Sequence, residues 1–440
     1  MSSMNKIDLA QWVIEHTKKS GADQAAVSIS KIREVEIEFR DKKLENLKES
    51  TQNSLSLDIY VQNRYSNHRT NDLRKESLVK LIDEAVAGTK YLTKDEFRSL
   101  PNAKYYPKEV DIELKIRDLT YENITATQRK DMAEAIEQSA MTQSDQIIST
   151  TSGYSDVYNE MVQVHSNGFS GKIESTVFAA GAEVTVRDGE SGRPEDWYWA
   201  SMRYHSDMPA ADLLGKEAAR RALRKIGQKK IESGKYTMLV ENRSGYRLFS
   251  TLYTPMRARS LQQKNSFLEN MLNKKIASEK LTLIDDPFVE KGLGSRIFDD
   301  DGLAMKKRVM IEKGILRDYY IDNYYGRKLG MEPNSGSTSN IVFEYGEKSM
   351  NELMQDMNNG ILITGFIGGN SNSTTGDFSF GIVGQLIQNG KIVQPINEMN
   401  ISGNAKEFWN SLVAVGNDPY PYSSWRIPCM MFEDVNFSGV

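Results

Sequence analysis

The sequence predicts an α+β fold: a helix–antiparallel strands–helix unit, a duplicate of it, and a β-rich C-terminal domain. Three observations carry this expectation. Apolar spacing switches between helical and alternating periods twice, in the same order. Short residue strings recur at one fixed offset. From Lys235 onward the pattern breaks into short alternating runs separated by Gly, Asn and Asp. Helices and strands do not alternate regularly, which argues for largely antiparallel sheets rather than a doubly wound one.

The first helix is expected over Ile7 to Ser20, where Leu9, Val13 and Ile14 share a face and Gly21 suits the C-terminal cap. Strands follow, with alternation at Val35, Ile37 and Phe39 and at Leu55, Leu57, Ile59 and Val61. A second helix carries Leu78, Leu81, Ile82 and Ala85. Residues 93–110 hold Pro101 and Pro107 and read as a linker. The order then repeats: a helix from about Asn123 to Met141, strands to about Tyr204, and a helix opening at Asp207-Met-Pro209. That helix is expected to bury Leu213, Leu214, Ala218, Leu223 and Ile226 and to end at Gly227.

Glu49-Ser-Thr51 precedes Asp58-Ile-Tyr-Val61, and Glu174-Ser-Thr176 precedes Glu183-Val-Thr-Val186. The second pair lies 125 positions after the first (174 against 49). Tyr236 to Val240 reads as the first strand of the third unit. The expected units are 1–110, the first unit with its linker; 111–230, the second; and 231–440, the β-rich domain.

A chain of 440 residues has room for this. Its charged fraction of 26% and hydrophobic fraction of 39% are ordinary for a globular protein, and a net charge of −4 offers no basic field for nucleic acid or an anionic membrane. Cys429 is the single cysteine, which excludes an intrachain disulfide and Cys-rich zinc sites. No run approaches the roughly 20 apolar residues of a membrane span. The first residues lead into an amphipathic segment rather than an apolar signal core, so the expected location is cytoplasmic.

The last third carries Gly365-Phe-Ile-Gly-Gly369, Thr375-Gly-Asp-Phe-Ser-Phe-Gly381, Asn389-Gly-Lys-Ile-Val-Gln-Pro-Ile-Asn-Glu398 and Ile401-Ser-Gly-Asn404. Ser233-Gly-Lys-Tyr236, Lys264-Asn-Ser-Phe-Leu268, Ile284-Asp-Asp-Pro287, Phe298-Asp-Asp-Asp-Gly302 and Ile311-Glu-Lys-Gly-Ile-Leu316 precede them. In order and spacing these resemble the TldD/PmbA family, the so-called modulators of DNA gyrase. The resemblance implies a family in which a zinc-peptidase subunit, TldD, works with a related subunit, PmbA or TldE. Peptidase members carry H-E-x-x-x-H on a helix after the first strand of this domain. Two imidazoles there hold zinc and the Glu serves as general base. Counted back from Lys264-Asn-Ser266, that motif falls near Phe249 to Thr254. Here the residues are Leu248-Phe-Ser-Thr-Leu-Tyr-Thr254, so Phe249, Ser250 and Thr254 mark a degenerate zinc segment.

His16, His68, His165 and His205 are the only histidines, and no two have a spacing that shares a helix face. The zinc cysteine of those members would fall near Gly416-Asn-Asp-Pro419. Cys429 instead sits in an apolar run and reads as a buried thiol. The pattern is that of the PmbA/TldE branch: no metal and no cofactor in this chain, zinc in the partner.

His165 reads as a solvated turn histidine and His205 as a hydrogen-bonded surface or interface group. Asp299-Asp-Asp-Gly302 reads as a tight acidic turn rather than a cation loop, and Asp285-Asp-Pro287 as an Asp-Pro turn. The Gly365–Gly381 stretch lacks Gly-Lys-Ser/Thr and a following helix, so it is no phosphate loop. Its glycines admit close approach of another chain to an exposed strand edge. Gly368, Gly369, Asn370 and Asp377 are the expected substrate contacts. The resemblance implies a TldD-like partner and extended peptides or unfolded proteins as substrate. Two alternatives stay open. One is a non-catalytic homodimeric peptide-binding or scaffold protein. The other is a peptidase with a zinc site assembled from distant ligands such as His165, His205 and carboxylates.

Overall fold

The computed structural model describes residues 5–108 and 112–439. The expected division between 110 and 111 lies outside the described residues. The first unit runs α1 (Lys6–Lys19), β1 (Gln24–Arg40), β2 (Lys43–Val61), β3 (Arg64–Thr70) and α2 (Lys75–Thr89). The second repeats it: α3 (Ala126–Met141), β4 (Ile147–His165), β5 (Ser170–Val186), β6 (Glu195–Met202) and α4 (Ala211–Leu223).

The two sets of strands form one antiparallel sheet, ordered β3-β2-β1-β4-β5-β6. The repeats meet at the β1–β4 ladder, which runs from Ala26 opposite His165 to Arg40 opposite Thr151. One alternating face of β1 therefore serves two cores. Val27 and Ile29 pack with α1 and α2, while Val35, Ile37 and Phe39 pack with α3 and α4.

Local signals set most helix ends. Thr125 and Gln128 form a reciprocal capping box at the start of α3. Gly21 leaves α1 at φ 108°. At α4 the expectation needs correcting. Asp207 does not cap the helix, which starts at Ala211; its carboxylate pairs with Lys291 at 2.7 Å instead. The later start shifts the buried stripe to Leu214, Ala218 and Ala222, and Leu213 is 61% exposed.

The expected linker is tied down. Tyr324 Oη donates to Asp95 at 2.6 Å, Asn323 Nδ2 to the Ser99 carbonyl at 2.7 Å, and Ala304 N to the Tyr105 carbonyl at 2.8 Å. Residues 93–108 thus strap the first unit to the third.

The third unit holds β7 (Gly234–Val240), α5 (Tyr246–Tyr253), α6 (Ala258–Gln262), β8 (Leu283–Asp286), β9 (Arg308–Glu312), β10 (Ile315–Leu316), α7 (Asn323–Leu329) and β11 (Asn340–Phe343). It continues with α8 (Met350–Met357), β12 (Gly360–Ser371), β13 (Asp377–Gln388), β14 (Lys391–Asn404), α9 (Ala405–Phe408), β15 (Leu412–Val415), β16 (Trp425–Arg426) and β17 (Met430–Gly439). One sheet is ordered β14-β13-β12-β7-β17-β15, and β14 also pairs with β17, so five strands close on themselves. A second sheet is ordered β10-β9-β8-β11-β16. Met238 and Val240 of β7 point into the main core. Leu239 points out, toward Leu353, Met357 and the fully buried Cys429. Burial pushes the Cys429 thiol far above its ordinary value, as expected of an inert apolar thiol.

The acidic turn sits where the third unit meets the sheet. Asp299 Oδ1 accepts from the backbone N–H of Asp301 and Leu303, and Gln163 Nε2 donates to the Asp300 carbonyl at 2.7 Å. Burial raises the Asp301 carboxyl to about 7 and the Asp299 carboxyl to about 6. A carboxyl whose folded value is raised stabilises the fold below its unfolded value near 4, and that contribution is lost as pH climbs toward 7. Asp301→Asn is therefore expected to leave stability unchanged near pH 4. It should stabilise by on the order of 1–3 kcal/mol at pH 8, measured as the pH dependence of urea midpoints.

Candidate functional site

The chain enters the site from β7. Glu241 follows the strand, residues 242–244 make one tight turn, and α5 begins at Tyr246. α5 ends at Tyr253 and passes into a tighter turn, Thr254–Met256, that holds Pro255 at its start. This is the segment where the resemblance places a zinc helix, and an aromatic cluster fills it. Phe249 meets the Trp425 ring edge-on at 4.8 Å and the Phe343 ring at 6.4 Å. Tyr253 stacks on Phe249 and meets Tyr320 at 5.1 Å. Ser250 Oγ donates back to the Arg247 carbonyl at 2.7 Å, and the Thr254 carbonyl accepts from Ser260 Oγ at 2.8 Å. Buried Trp409 donates from Nε1 to Thr251 Oγ1 at 3.0 Å, locking the helix to the core.

Phe249, Ser250 and Thr254 do not fit a zinc ion, because they offer no imidazole, thiolate or carboxylate. Among the described residues no three His, Cys, Asp or Glu side chains gather into a group able to hold a metal. His165 is not the solvated turn residue expected. It is buried, within 3.0 Å of Tyr106 Oη and 2.9 Å of Gln163 Nε2, and burial lowers it to about 4. His205 is half-buried at the interface with residue 118, where its backbone N–H donates to Asp118 Oδ2 at 3.0 Å. Asp285 lies inside β8 rather than in a turn; it accepts from Ser339 N and pairs with Arg308 at 3.2 Å.

Above α5 lies a cleft between β6, the edge strand of the first sheet, and β12. Two adjoining cavities make it up, of about 280 and 270 Å³. Trp197, Arg243 and Tyr246 border both. Tyr246 is 54% and Trp197 42% exposed. Trp199 lies against the backbone of its neighbours. A Cβ on Gly153 would come within 2.7 Å of its ring, and one on Gly181 within 2.1 Å of the Tyr198 carbonyl. Those two glycines therefore leave the space that the indole occupies.

Buried charges set the cleft walls. Arg243 Nη2 donates to Asp196 Oδ1 at 2.9 Å, and its Nη1 to the Trp197 carbonyl at 2.5 Å. Ser244 Oγ donates to the Thr364 carbonyl of β12 at 2.9 Å. Arg221 grips Glu241 with two hydrogen bonds, at 3.0 and 2.5 Å. Burial pushes the Glu241 and Asp196 carboxyls upward, but their arginine and lysine partners hold both below their ordinary values.

The expected substrate contacts lie beyond the cleft on one hairpin. β12 pairs with β7 only through Ile361–Ile363, so its edge is unpaired by β7 from Thr364 onward. The strand leads out through half-exposed Ile367 to a bulge at Gly368 and Gly369, at φ 60° and 83°. Arg247 Nη2 of α5 donates to both their carbonyls, at 3.1 and 2.7 Å. Asn370 pairs opposite Ser379. Asp377 accepts from Thr375 Oγ1 at 2.7 Å and Asn404 Nδ2 at 2.9 Å, which lowers its carboxyl. Gly369 thus meets neighbouring backbone first, since a Cβ there would fall 2.1 Å from the Ser379 carbonyl, while Gly368 faces open space.

The sequence reading missed Trp197, Trp199, Tyr246, Arg243, Tyr420, Tyr422 and Trp425. No local signal joined them, although three of the five tryptophans line this cleft.

An α+β chain with this closed C-terminal sheet, and a helix one turn after its first strand, has the framework of a metallopeptidase-family protein. The chain matches the PmbA/TldA metallopeptidase domain 1 over residues 25–88, the central domain over 105–226 and the C-terminal domain over 233–439. It belongs to the PmbA/TldD metallopeptidase family. It is 26% identical to Metalloprotease PmbA of Escherichia coli O157:H7, over 95% of this chain and 93% of that one. The crystal structure of a proposed modulator of DNA gyrase from Bacteroides thetaiotaomicron is 41% identical over all of both chains, with a TM-score of 0.97. TldE from Thermococcus kodakarensis shares the fold at 20% identity, with a TM-score of 0.85 over 98% of this chain and all of that one.

Two substitutions separate the reasons for the bulge glycines. Gly368→Ala meets no atom within 4 Å and should cost only the left-handed backbone strain, on the order of 1 kcal/mol. Gly369→Ala carries the same strain plus the clash with Ser379, and should cost at least ~2 kcal/mol more, read as the difference in urea midpoints.

Proposed function

We propose that this chain is the PmbA/TldE-type subunit of a TldD/TldE-like metalloprotease complex that acts in the cytoplasm on extended peptides or unfolded proteins. A TldD-like partner supplies the zinc and the general base. The three units, divided near 110 and 230, are part of the same reading. The observation that carries it is α5. It stands where peptidase members of the family are expected to hold zinc, yet Phe249, Tyr253 and Trp425 fill its surroundings with packed rings. Such a helix serves packing and leaves no ligand for a metal.

This chain's share of the work is then to bind. The edge of β12 over residues 365–367, between the carbonyls held by Ser244 and by Arg247, offers main-chain groups to an extended peptide, and Gly368, Gly369, Asn370 and Asp377 stand along its exit. Trp197 and Tyr246 give broad stacking surfaces, which suit unfolded chains of varied sequence.

The test is zinc content and peptidase activity of the untagged chain purified from zinc-replete culture, alone and mixed with a TldD-like chain from the same source. Well under one zinc per chain and no activity alone, with activity on mixing, is the expected result. About one tightly held zinc per chain with independent activity would overturn the reading.

A further inference from the structure

The ionic groups beneath the cleft satisfy one another. Arg243 is bonded to Asp196 and to the Trp197 carbonyl, Arg221 and Arg224 to Glu241, and Lys225 to Asp196, with Glu183 and Glu195 alongside. The 280 Å³ cavity beside them therefore takes its character from rings and not from charge. Trp197, Trp199, Tyr246, Tyr420, Tyr422 and Trp425 line it. Half-exposed rings gathered around one cavity mark a binding surface more than a core.

The walls are fixed before anything enters. Tyr420 Oη donates to the Trp199 carbonyl at 3.2 Å, Trp425 Nε1 to Thr338 Oγ1 at 3.0 Å, and Asn242 Nδ2 to the Asp418 carbonyl at 2.7 Å. Behind Trp425 stands Phe249 of α5, edge-on. The ring that occupies the degenerate zinc segment thus supports the back wall of the cavity. Rings held in this way lose little freedom on binding. The volume falls just below the range of pockets for whole small molecules and suits one large side chain.

The cavity also adjoins a strand edge. Trp197 and Tyr246 border both this cavity and the neighbouring one, which is lined by residues 364–367 of β12. Among the described residues the Trp197 indole N–H and the Tyr246 hydroxyl have no acceptor. They stand as free donors for main-chain carbonyls beside the β12 edge.

We propose that the aromatic cavity is a specificity pocket. It takes one large apolar side chain, of the size of phenylalanine, from an extended peptide whose main chain lies on residues 365–367 of β12. This rests on the peptide-binding reading above and names the residue class that the site selects. Successive side chains of an extended chain point to opposite sides, so one enters the pocket and its neighbours do not. Selection then acts at one position and leaves the rest of the substrate sequence free. Burial of apolar area and ring-edge contacts supply the affinity. A carboxylate finds no unpaired cation there. A cation meets Arg243, which already lies 4.3 Å from the centroid of the Trp197 ring.

The test uses the full-length chain and four pentapeptides, acetylated and amidated so that neither end is charged. They are alike except for a central Phe, Leu, Ala or Asp. Calorimetry is expected to show the Phe peptide binding at least about tenfold more tightly than the Ala peptide, with Leu between them and Asp no better than Ala. Ser201→Trp places an indole in the cavity and should bring the Phe peptide down to the affinity of the Ala peptide. Tyr422→Ala removes one wall, should weaken the Phe peptide alone, and carries the test if the first variant does not fold. Equal affinity for Phe and Ala overturns the proposal while leaving the peptide-binding reading intact, as does a Phe preference that survives Ser201→Trp. If the chain is a dimer that Ser201→Trp converts to a monomer, the cavity is an interface between copies and the proposal is overturned. If none of the four peptides binds, the peptide-binding reading falls as well.

Discussion

The structure hangs on a buried ionic junction. Glu241 ends the first strand of the third unit, and Arg221 and Arg224 of α4 reach it from the second. Asp196 of β6 holds Arg243 and Lys225 in turn. Replacing such a junction with apolar packing is often neutral or stabilising, so net stability is a poor explanation for it. Its effect is geometric. A bidentate arginine–carboxylate pair tolerates little change in angle or distance. Two pairs in tandem fix the sheet edge at β6 relative to the edge at β12, and the cleft exists because those edges are held apart.

The same junction explains the cleft's polarity. Cations from the end of α4 and from the turn after β7 meet Asp196, Glu217 and Glu241, with Glu183 and Glu195 alongside. Carbonyls take the remaining donors, as where Arg243 donates to the Trp197 carbonyl and Lys225 to the Glu195 carbonyl. Aromatic rings take up the remaining space; the Arg243 guanidinium lies 4.3 Å from the Trp197 ring centroid. The result is a surface of aromatic rings laid over buried ion pairs.

α5 is a packing position. The segment keeps its place after β7, but Phe249, Leu252 and Trp409 close the space with carbon. A zinc site needs open coordination and polar support around its ligands; here the supporting hydroxyl of Thr251 serves an indole instead. The family framework is thus kept around a helix packed with aromatic rings.

Much of the fold was legible in the sequence. Alternation at Val35, Ile37 and Phe39 and helical spacing at Leu9, Val13 and Ile14 fixed element types, since each period admits one backbone geometry. The fixed offset between Glu49-Ser-Thr51 and Glu174-Ser-Thr176 announced the repeat. Other features had no local signal. That the repeats fuse through β1 and β4 depends on ladder pairing between residues more than a hundred positions apart. The phase of α4, which turned Leu213 outward, follows from packing against α3 and not from its own apolar count. His165 looked like a turn residue because burial by Tyr106 and the third unit leaves no trace in neighbouring letters. The cleft was hidden for the same reason. Trp197, Arg243, Tyr246 and Trp425 come from separated stretches of chain, and only the folded contact of β6, α5 and β12 makes them one surface. Sequence alone determined periodicity, repetition and the residue types available for chemistry, because those are local or compositional. Tertiary structure decided which of those residues meet, because burial and electrostatic balance are properties of the assembled chain.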